Sequence, residues 1–412
     1  MNIIQNEKIK TPKTDGESRT EQNDSRMTIP QSKQSGIPTN SFSSLFKSPR
    51  WITNLWNTVL VSSKRLVHSI FLNRSIERFY LVFGGHIFFE TLYAAVENDL
   101  FSRLDREPGL TTEGIAARLG IESQPARILL LGLTSIKFLK KSKNRYYNTY
   151  LSKMLLTKES PLNVLDYVRL QHHGMYKAMP HFAESLKTYS NVGLKEFPGE
   201  APTFYQRLSA VPSLEKIFQD AMQQLSVQTN AMFARYIDLS NVSHLVDVGG
   251  GDGTNLITLA RANPHLRGTV FDLPSVCEIA RRNIEANGLS HRIQVVPGNC
   301  FENDFPKNAD AFLFSHFFTI WSKKKDGLLL EKCLSALPAG GRVMIFNMMQ
   351  HDDGTGPLSA AVGSPYFLTL ATGEGMLYSW KEYEELFRKT GFSKVKRIVL
   401  THDHGVITGV KP

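Results

Sequence analysis

The residues of this chain most able to do chemistry are three consecutive glycines and a carboxylate that follows them. Gly249, Gly250 and Gly251 come directly after the apolar run Leu245-Val246-Asp247-Val248, and Asp252 and Gly253 complete the stretch. Such a run reads as a buried parallel strand. Glycines at its end permit a tight turn and let the backbone lie against a ligand where a Cβ would collide. The next strand-like run, Gly268 to Phe271, ends in Asp272, 19 residues beyond Gly253. A carboxylate there can accept both hydroxyls of a ribose. Glycine loop and acid-tipped second strand together specify a nucleoside ligand. A nicotinamide dinucleotide fits poorly, because Gly-x-Gly-x-x-Gly requires a glycine where this chain has Thr254 (counting from Gly249) or Leu256 (counting from Gly251).

These residues need a scaffold, and the pattern around them supplies one. From Val242 onward short apolar runs alternate with helical patterns: Leu245–Val248, Gly268–Phe271, Ile293–Val296, Ala309–Phe314 and Gly341–Phe346. That β/α alternation predicts a parallel sheet with helices on both faces, an α/β Rossmann-like domain over 241–412. Ligands of such sheets sit beyond the carboxyl ends of the strands. Asp272, Asn299, Ser315 and Asn347 fall at or just past those ends.

Upstream, residues 161–240 read as a helical connector, with His172, His173, Phe218 and Met222 as the side chains able to reach a cleft. Residues 76–160 read as a winged helix. Thr111-Thr112-Glu113 opens a helix that stops at Gly120, a second helix carries Ala126, Leu129, Leu130 and Leu133, and Phe138 to Asn148 places apolar pairs on either side of a polar turn. Winged helices often bind DNA, but the second helix is nearly all apolar with only Arg127, which suits a subunit interface better. Residues 46–75 form an amphipathic helical pattern. Residues 1–45, rich in Ser, Thr, Gln, Asn and Lys, cannot bury enough apolar surface to order themselves and read as a disordered tail.

Composition narrows the classes further. A chain of 412 residues with 42% hydrophobic and 21% charged residues has room for two cores. Its net charge of +10 is spread along the whole length and does not single out a nucleic acid as partner. Three widely spaced cysteines, Cys277, Cys300 and Cys333, argue against a disulfide scaffold or a zinc knuckle and fit a reducing, cytoplasmic setting. No apolar run approaches the roughly 18 residues of a membrane span, and no metal site is indicated.

Taken in order, Val-Asp-Val-Gly-Gly-Gly-Asp-Gly (246–253), Phe-Asp-Leu-Pro (271–274), Pro-Gly-Asn-Cys-Phe (297–301), Ala-Leu-Pro-Ala-Gly-Gly-Arg-Val (336–343) and Lys-Thr-Gly-Phe (389–392) resemble the acetylserotonin and caffeate O-methyltransferase-like family. The resemblance covers roughly residues 75–412. It implies an S-adenosylmethionine (SAM)-dependent enzyme acting on a small-molecule acceptor, and a homodimer held by the winged helix. Carried over position by position, it places Gly249 at the SAM amino-acid moiety, Gly251 also at the cofactor, Asp272 on the ribose, and Leu273 against adenine. Asn299 and Cys300 stand where family members have Asp-Met, and Ser315 stands at a frequent lysine.

The family's catalytic pattern is broken. Aligned through Trp321, Thr319 occupies the place of the general-base histidine. The two supporting glutamates map to Asn347 and to the neighbourhood of Leu377, with Glu374 close by. His316, three residues before Thr319, and Glu374 are the candidate replacements. If a helix starts at His316, positions i and i+3 share a face. Phe218, Met222 and Thr319 are the expected walls of the acceptor site. The sequence favours methyl transfer to an acceptor that is already nucleophilic. Two other readings compete: non-methylating chemistry such as cyclisation, decarboxylation or hydroxylation, and a SAM-sensing winged-helix regulator.

Overall fold

A computed structural model describes residues 72–412. The expectations for the tail 1–45 and for most of the segment 46–75 lie outside the described residues. The chain divides into two units, Met1–Ser75 and Ile76–Pro412; the second carries the elements below.

Helices α1 (Gly85–Glu97), α2 (Leu100–Arg106), α3 (Thr112–Leu119) and α4 (Ser123–Ser135) are followed by a hairpin of β1 (Leu139–Ser142) and β2 (Arg145–Asn148). The local signals operate as read. The Thr111 hydroxyl accepts from the Gly114 N–H at 3.2 Å to cap α3, and Gly120 ends it with φ 67°. Leu104, Ile115, Leu130, Leu133, Leu139 and Tyr146 close one apolar core. The other face of α4 leaves Ile128 66% and Leu131 73% exposed.

The connector holds α5 (Leu165–Leu170), which runs into a π-helical turn Gln171–Met175, then α6 (Phe204–Arg207) and the long α7 (Pro212–Tyr236). His172 and His173 lie against α1: the His172 ring stacks on Tyr93 with centroids 3.6 Å apart and Nδ1 meets Glu90 at 3.0 Å, while His173 Nε2 meets the Tyr93 hydroxyl at 3.1 Å.

The C-terminal half is a seven-stranded sheet in the order β5-β4-β3-β6-β7-β9-β8. Its strands are β3 (His244–Val248), β4 (Arg267–Asp272), β5 (Ile293–Pro297), β6 (Ala311–Ser315), β7 (Arg342–Met348), β8 (Ser393–Val399) and β9 (His404–Val410). The helices around it are α8 (Thr254–Ala262), α9 (Pro274–Ala286), α10 (Lys323–Ala336), α11 (Leu358–Tyr366), which passes into a second π-helical turn Phe367–Ala371, and α12 (Trp380–Thr390). One expectation is corrected here. The sheet is not wholly parallel, because β9 runs antiparallel to both β7 and β8. Only Leu400–Asp403 separate β8 from β9, and a parallel return needs a crossover of a dozen or more residues. Strand order reverses between β3 and β6, which opens a crevice at their carboxyl ends.

Candidate active site

The glycine turn stands at that crevice. Gly249, Gly251 and Gly253 take φ of 71°, 58° and 81°, conformations that side chains resist. A Cβ on Gly249 would lie 2.3 Å from the Phe317 ring, whereas one on Gly251 would meet nothing within 4 Å. The turn is therefore braced on one side and open on the other. Asp272 ties it to the tip of β4: Oδ2 accepts from the Gly251 N–H at 2.8 Å and Oδ1 from the Leu273 N–H at 2.7 Å. Burial still raises the Asp272 pKa against these two bonds. Asp247 is fully buried; Oδ2 accepts from Asn255 at 3.2 Å while Oδ1 has no partner. Burial, helped by the charges of Asp272 and Asp252, pushes its pKa up to about 7. Among the described residues no cation acts on either carboxyl. A hydroxyl-accepting carboxylate, an orphaned buried oxygen and an open glycine cradle fit a nucleoside that brings its own positive charge, as SAM does.

The remaining residues expected at the cofactor gather on the same sheet edge. Leu273 is 37% exposed just beyond Asp272. Asn299 is turned partly inward: its Oδ1 accepts from the Phe301 N–H at 3.0 Å and its Nδ2 donates to Glu302 at 2.9 Å, leaving one carbonyl lone pair for a ligand. Cys300 is buried, and its thiol is pushed up to about 12, which makes it inert. The Ser315 hydroxyl meets His316 Nδ1 at 3.2 Å.

Around Thr319 the structure corrects one expectation. The helical turn begins only at Phe318 (Phe318–Ile320), and His316 has φ 53°, so His316 and Thr319 do not share a helix face. The Thr319 hydroxyl donates to the His316 carbonyl at 3.4 Å, while the His316 ring turns to Phe346 and His404, with centroids 4.9 and 5.6 Å away. Burial and the charge of His404 pull the His316 pKa down to about 3, so it is neutral and weakly basic. Glu374 comes close to Thr319 through its loop: a Cβ on Gly375 would lie 2.3 Å from the Thr319 carbonyl oxygen. Its carboxylate is paired with Lys325, whose ammonium lies 4.6 Å over the Trp321 ring. Asn347, wholly buried, donates to the Tyr383 hydroxyl at 3.1 Å, and Leu377 is also buried.

Sequence reasoning missed two groups here. Asp326 on α10 is completely buried with neither carboxyl oxygen hydrogen-bonded, and burial raises its pKa well above the usual range. Asp403 and His404 form a pair, Oδ1 to Nδ1 2.9 Å, beside His316. Nothing in the sequence marks Asp326 as buried, and only the β8–β9 hairpin carries His404 to His316.

With this geometry in view, known proteins supply the lineage. The O-methyltransferase domain matches residues 193–393, and the O-methyltransferase dimerisation domain matches residues 80–158. An L-tyrosine C(3)-methyltransferase of Streptomyces lavendulae is 38% identical over 336 residues, covering 81% of this chain and 92% of the relative. This chain belongs to the O-methyltransferase family. A 3-hydroxy-5-methyl-1-naphthoate 3-O-methyltransferase of Streptomyces sahachiroi is 33% identical over 324 residues, 78% of this chain and 91% of that protein. The crystal structure of the S-adenosylmethionine-dependent methyltransferase SibL superposes with a TM-score of 0.71 at 35% identity, covering 81% of this chain and 98% of SibL. The chain is a SAM-dependent methyltransferase. Among its described residues no single helix is long and apolar enough to cross a membrane.

The long helix α7 joins the glycine turn to the connector. The Gln223 amide donates to Asp252 at 3.5 Å, and Phe218 and Met222, one helical turn apart on α7, are both half-buried. The Phe218 ring meets those of Phe204 and Tyr205 at 6.1 and 5.8 Å. The structure thus brings the residues expected at the cofactor to the carboxyl ends of neighbouring strands and leaves the two candidate bases, His316 and Glu374, pointing to separate partners.

Proposed function

We propose that this enzyme methylates a small hydroxyaromatic molecule of natural-product type, at the ring oxygen or the adjacent ring carbon, as a homodimer and without a general base at Thr319. The observation that carries the reading is the pairing of a complete glycine–Asp272 cradle with an uncharged Thr319, Asn347 and Leu377. SAM supplies an electrophilic methyl group on a sulfonium. The chain's part is then chiefly positioning, which alone accounts for much of the acceleration of such a displacement.

In this reading the backbone of Gly249 and Gly251 flanks the cofactor's amino-acid end, Asp272 accepts from the ribose hydroxyls, and Leu273, Asn299, Cys300 and Ser315 border the adenine end. Phe218, Met222 and Thr319 wall the acceptor. His316 offers a neutral imidazole, able to hydrogen-bond but too weakly basic to draw a proton from a phenol. Glu374 is held by Lys325 and serves to fix the loop over Thr319. A positioned base contributes about 10²–10⁴-fold; an acceptor that ionises unaided makes that contribution unnecessary. The two curated relatives act on L-tyrosine carbon 3 and on a hydroxynaphthoate oxygen, both hydroxyaromatic. A phenolate is nucleophilic at its oxygen and at the adjacent ring carbon alike, which suits both outcomes.

The test is incubation with methyl-labelled SAM and hydroxyaromatic acceptors graded in acidity. Label should enter the acceptor with one S-adenosylhomocysteine formed per product. The pH dependence of kcat/KM should follow the pKa of each acceptor. Product formed without S-adenosylhomocysteine, or a profile fixed by one enzyme group whatever the acceptor, would overturn the reading.

A further inference from the structure

The turn that follows β5 is closed by bonds of its own. The Asn303 side-chain oxygen accepts from the Asn299 N–H at 2.8 Å, and the Asn299 carbonyl accepts from the Glu302 and Asn303 N–H groups at 3.0 and 2.8 Å. Within it the Asn299 amide is held one way round: the Phe301 N–H donates to Oδ1, and Nδ2 donates to the Glu302 carboxylate. A flipped amide would set an N–H against an N–H and an oxygen against a carboxylate. These bonds fix the shape of the turn but not its place on the sheet.

Its place is set from outside. On one side the Gly298 N–H donates to the Asp272 carbonyl at 2.8 Å and ties the turn to the tip of β4. On the other side stands α10, and two of its lysines reach the turn. The Lys332 ammonium donates to the Cys300 and Asn303 carbonyls at 2.5 and 2.6 Å and lies 4.8 Å over the Phe305 ring. Lys325, seven residues earlier and so on the same helix face, lies 5.5 Å over the Phe301 ring, which meets Trp321 edge-on at 4.9 Å. Lys325 is shared with Glu374. Both hydrogen bonds of Lys332 go to main-chain carbonyls of the turn. A charged donor makes bonds roughly twice as strong as a neutral one, so Lys332 is the firmer clamp.

We infer that Lys332 is a positioning residue for the cofactor's base: it holds the Asn299 side-chain carbonyl where it accepts from an amino-bearing purine. The inference rests on the methyl-transfer reading above, in which Asn299 borders the adenine end. A carboxylate accepts on either oxygen however it rotates, but an amide accepts on one side only. With a neutral Asn299, the place and direction of that one carbonyl decide what is recognised. A purine with an oxygen in place of its amino group would bring an acceptor against an acceptor, and both would go unpaired. If the turn could drift on the sheet edge, that penalty would be relieved. Lys332 prevents the drift.

The experiment is calorimetric titration of the full-length protein with S-adenosylhomocysteine and with S-inosylhomocysteine, whose base carries an oxygen in place of the amino group. The wild type should bind the first about 10- to 100-fold more tightly, the effect of leaving one buried acceptor pair unsatisfied. Lys332→Met, which keeps the stem against Phe305, should bring that ratio below about threefold, chiefly by weakening S-adenosylhomocysteine. Lys332→Gln, which keeps one of the two bonds, should fall between, and Lys332→Arg, which can still donate to both carbonyls, should restore the ratio. A lysine that merely braces α10 would lower the thermal unfolding midpoint when removed and leave the ratio untouched. Equal binding of the two ligands by the wild type, a ratio unchanged in Lys332→Met and Lys332→Gln, or no restoration by Lys332→Arg overturns the inference while leaving the methyl-transfer reading standing. Failure of the wild type to bind S-adenosylhomocysteine removes both.

Discussion

Asp272 accepts from two backbone amides and still has lone pairs to give a ligand's hydroxyls, so its removal should be felt mainly in binding. Asp272→Ala is expected to weaken SAM and S-adenosylhomocysteine by about 100-fold or more in calorimetry, the worth of two hydrogen bonds to a charged acceptor. At Gly249 the constraint is steric. An alanine there must hold φ 71° with its Cβ 2.3 Å from Phe317, so Gly249→Ala should cost about 1–3 kcal/mol in urea unfolding and lose the cofactor as well. Thr319 allows the sharpest test of chemistry. A histidine placed there would have Asn347 and Leu377 where the resemblance expects orienting glutamates, and Glu374 is already paired with Lys325, so Thr319→His should leave kcat at or below wild type. A gain approaching 100-fold would mean that the acceptor does require a base.

At the scale of an element, β3 carries a strand-interior carboxyl, and this makes the fold sensitive to pH. Asp247 titrates at about 7 when folded and at about 3.9 when unfolded. Between these values the unfolded chain gives up a proton that the folded chain keeps, so stability falls as pH rises from about 4 to about 7. Asp247→Asn should flatten the slope of unfolding free energy across that window. The β8–β9 hairpin has the opposite sign. Burial alone would raise the Asp403 pKa, but hydrogen bonds from His404 and Thr401 outweigh it and hold it at about 2. Its contribution is present above about pH 4 and fades as pH falls toward 2, and Asp403→Asn should remove that acid-side loss.

For the whole molecule, the dimerisation domain raises the question of which surface pairs. On α4, Leu130 and Leu133 are fully buried in the domain core while Ile128 and Leu131 stay exposed on the opposite face. Two large aliphatic side chains so displayed suit a subunit interface. The double substitution Ile128→Glu/Leu131→Glu should shift the proposed dimer to monomer in light scattering while leaving SAM affinity unchanged. An unaltered mass would place the homodimer contact elsewhere.

Much of this was legible in the sequence, because its signals are local. The glycine turn, Asp272 at a strand end, the Thr111 cap and Gly120 stop of α3, and the apolar pairs of the β1–β2 hairpin each depend on a few adjacent residues whose backbone preferences leave little choice. The expectation that Thr319 stands in place of a basic histidine likewise comes from one short segment. Tertiary structure alone decided the rest. The antiparallel β9 follows from a connection too short to cross over. The left-handed turn at His316 sends its ring to Phe346 and His404, away from Thr319. The meeting of the Phe204 ring with those of Phe218 and Tyr366, drawn from three separate elements, also depends on how the helices pack. A residue's type and its neighbours fix what it can donate or accept. Its burial, its charge state and the partner it meets depend on chain segments far away in the sequence, and those are set only when the elements close on one another.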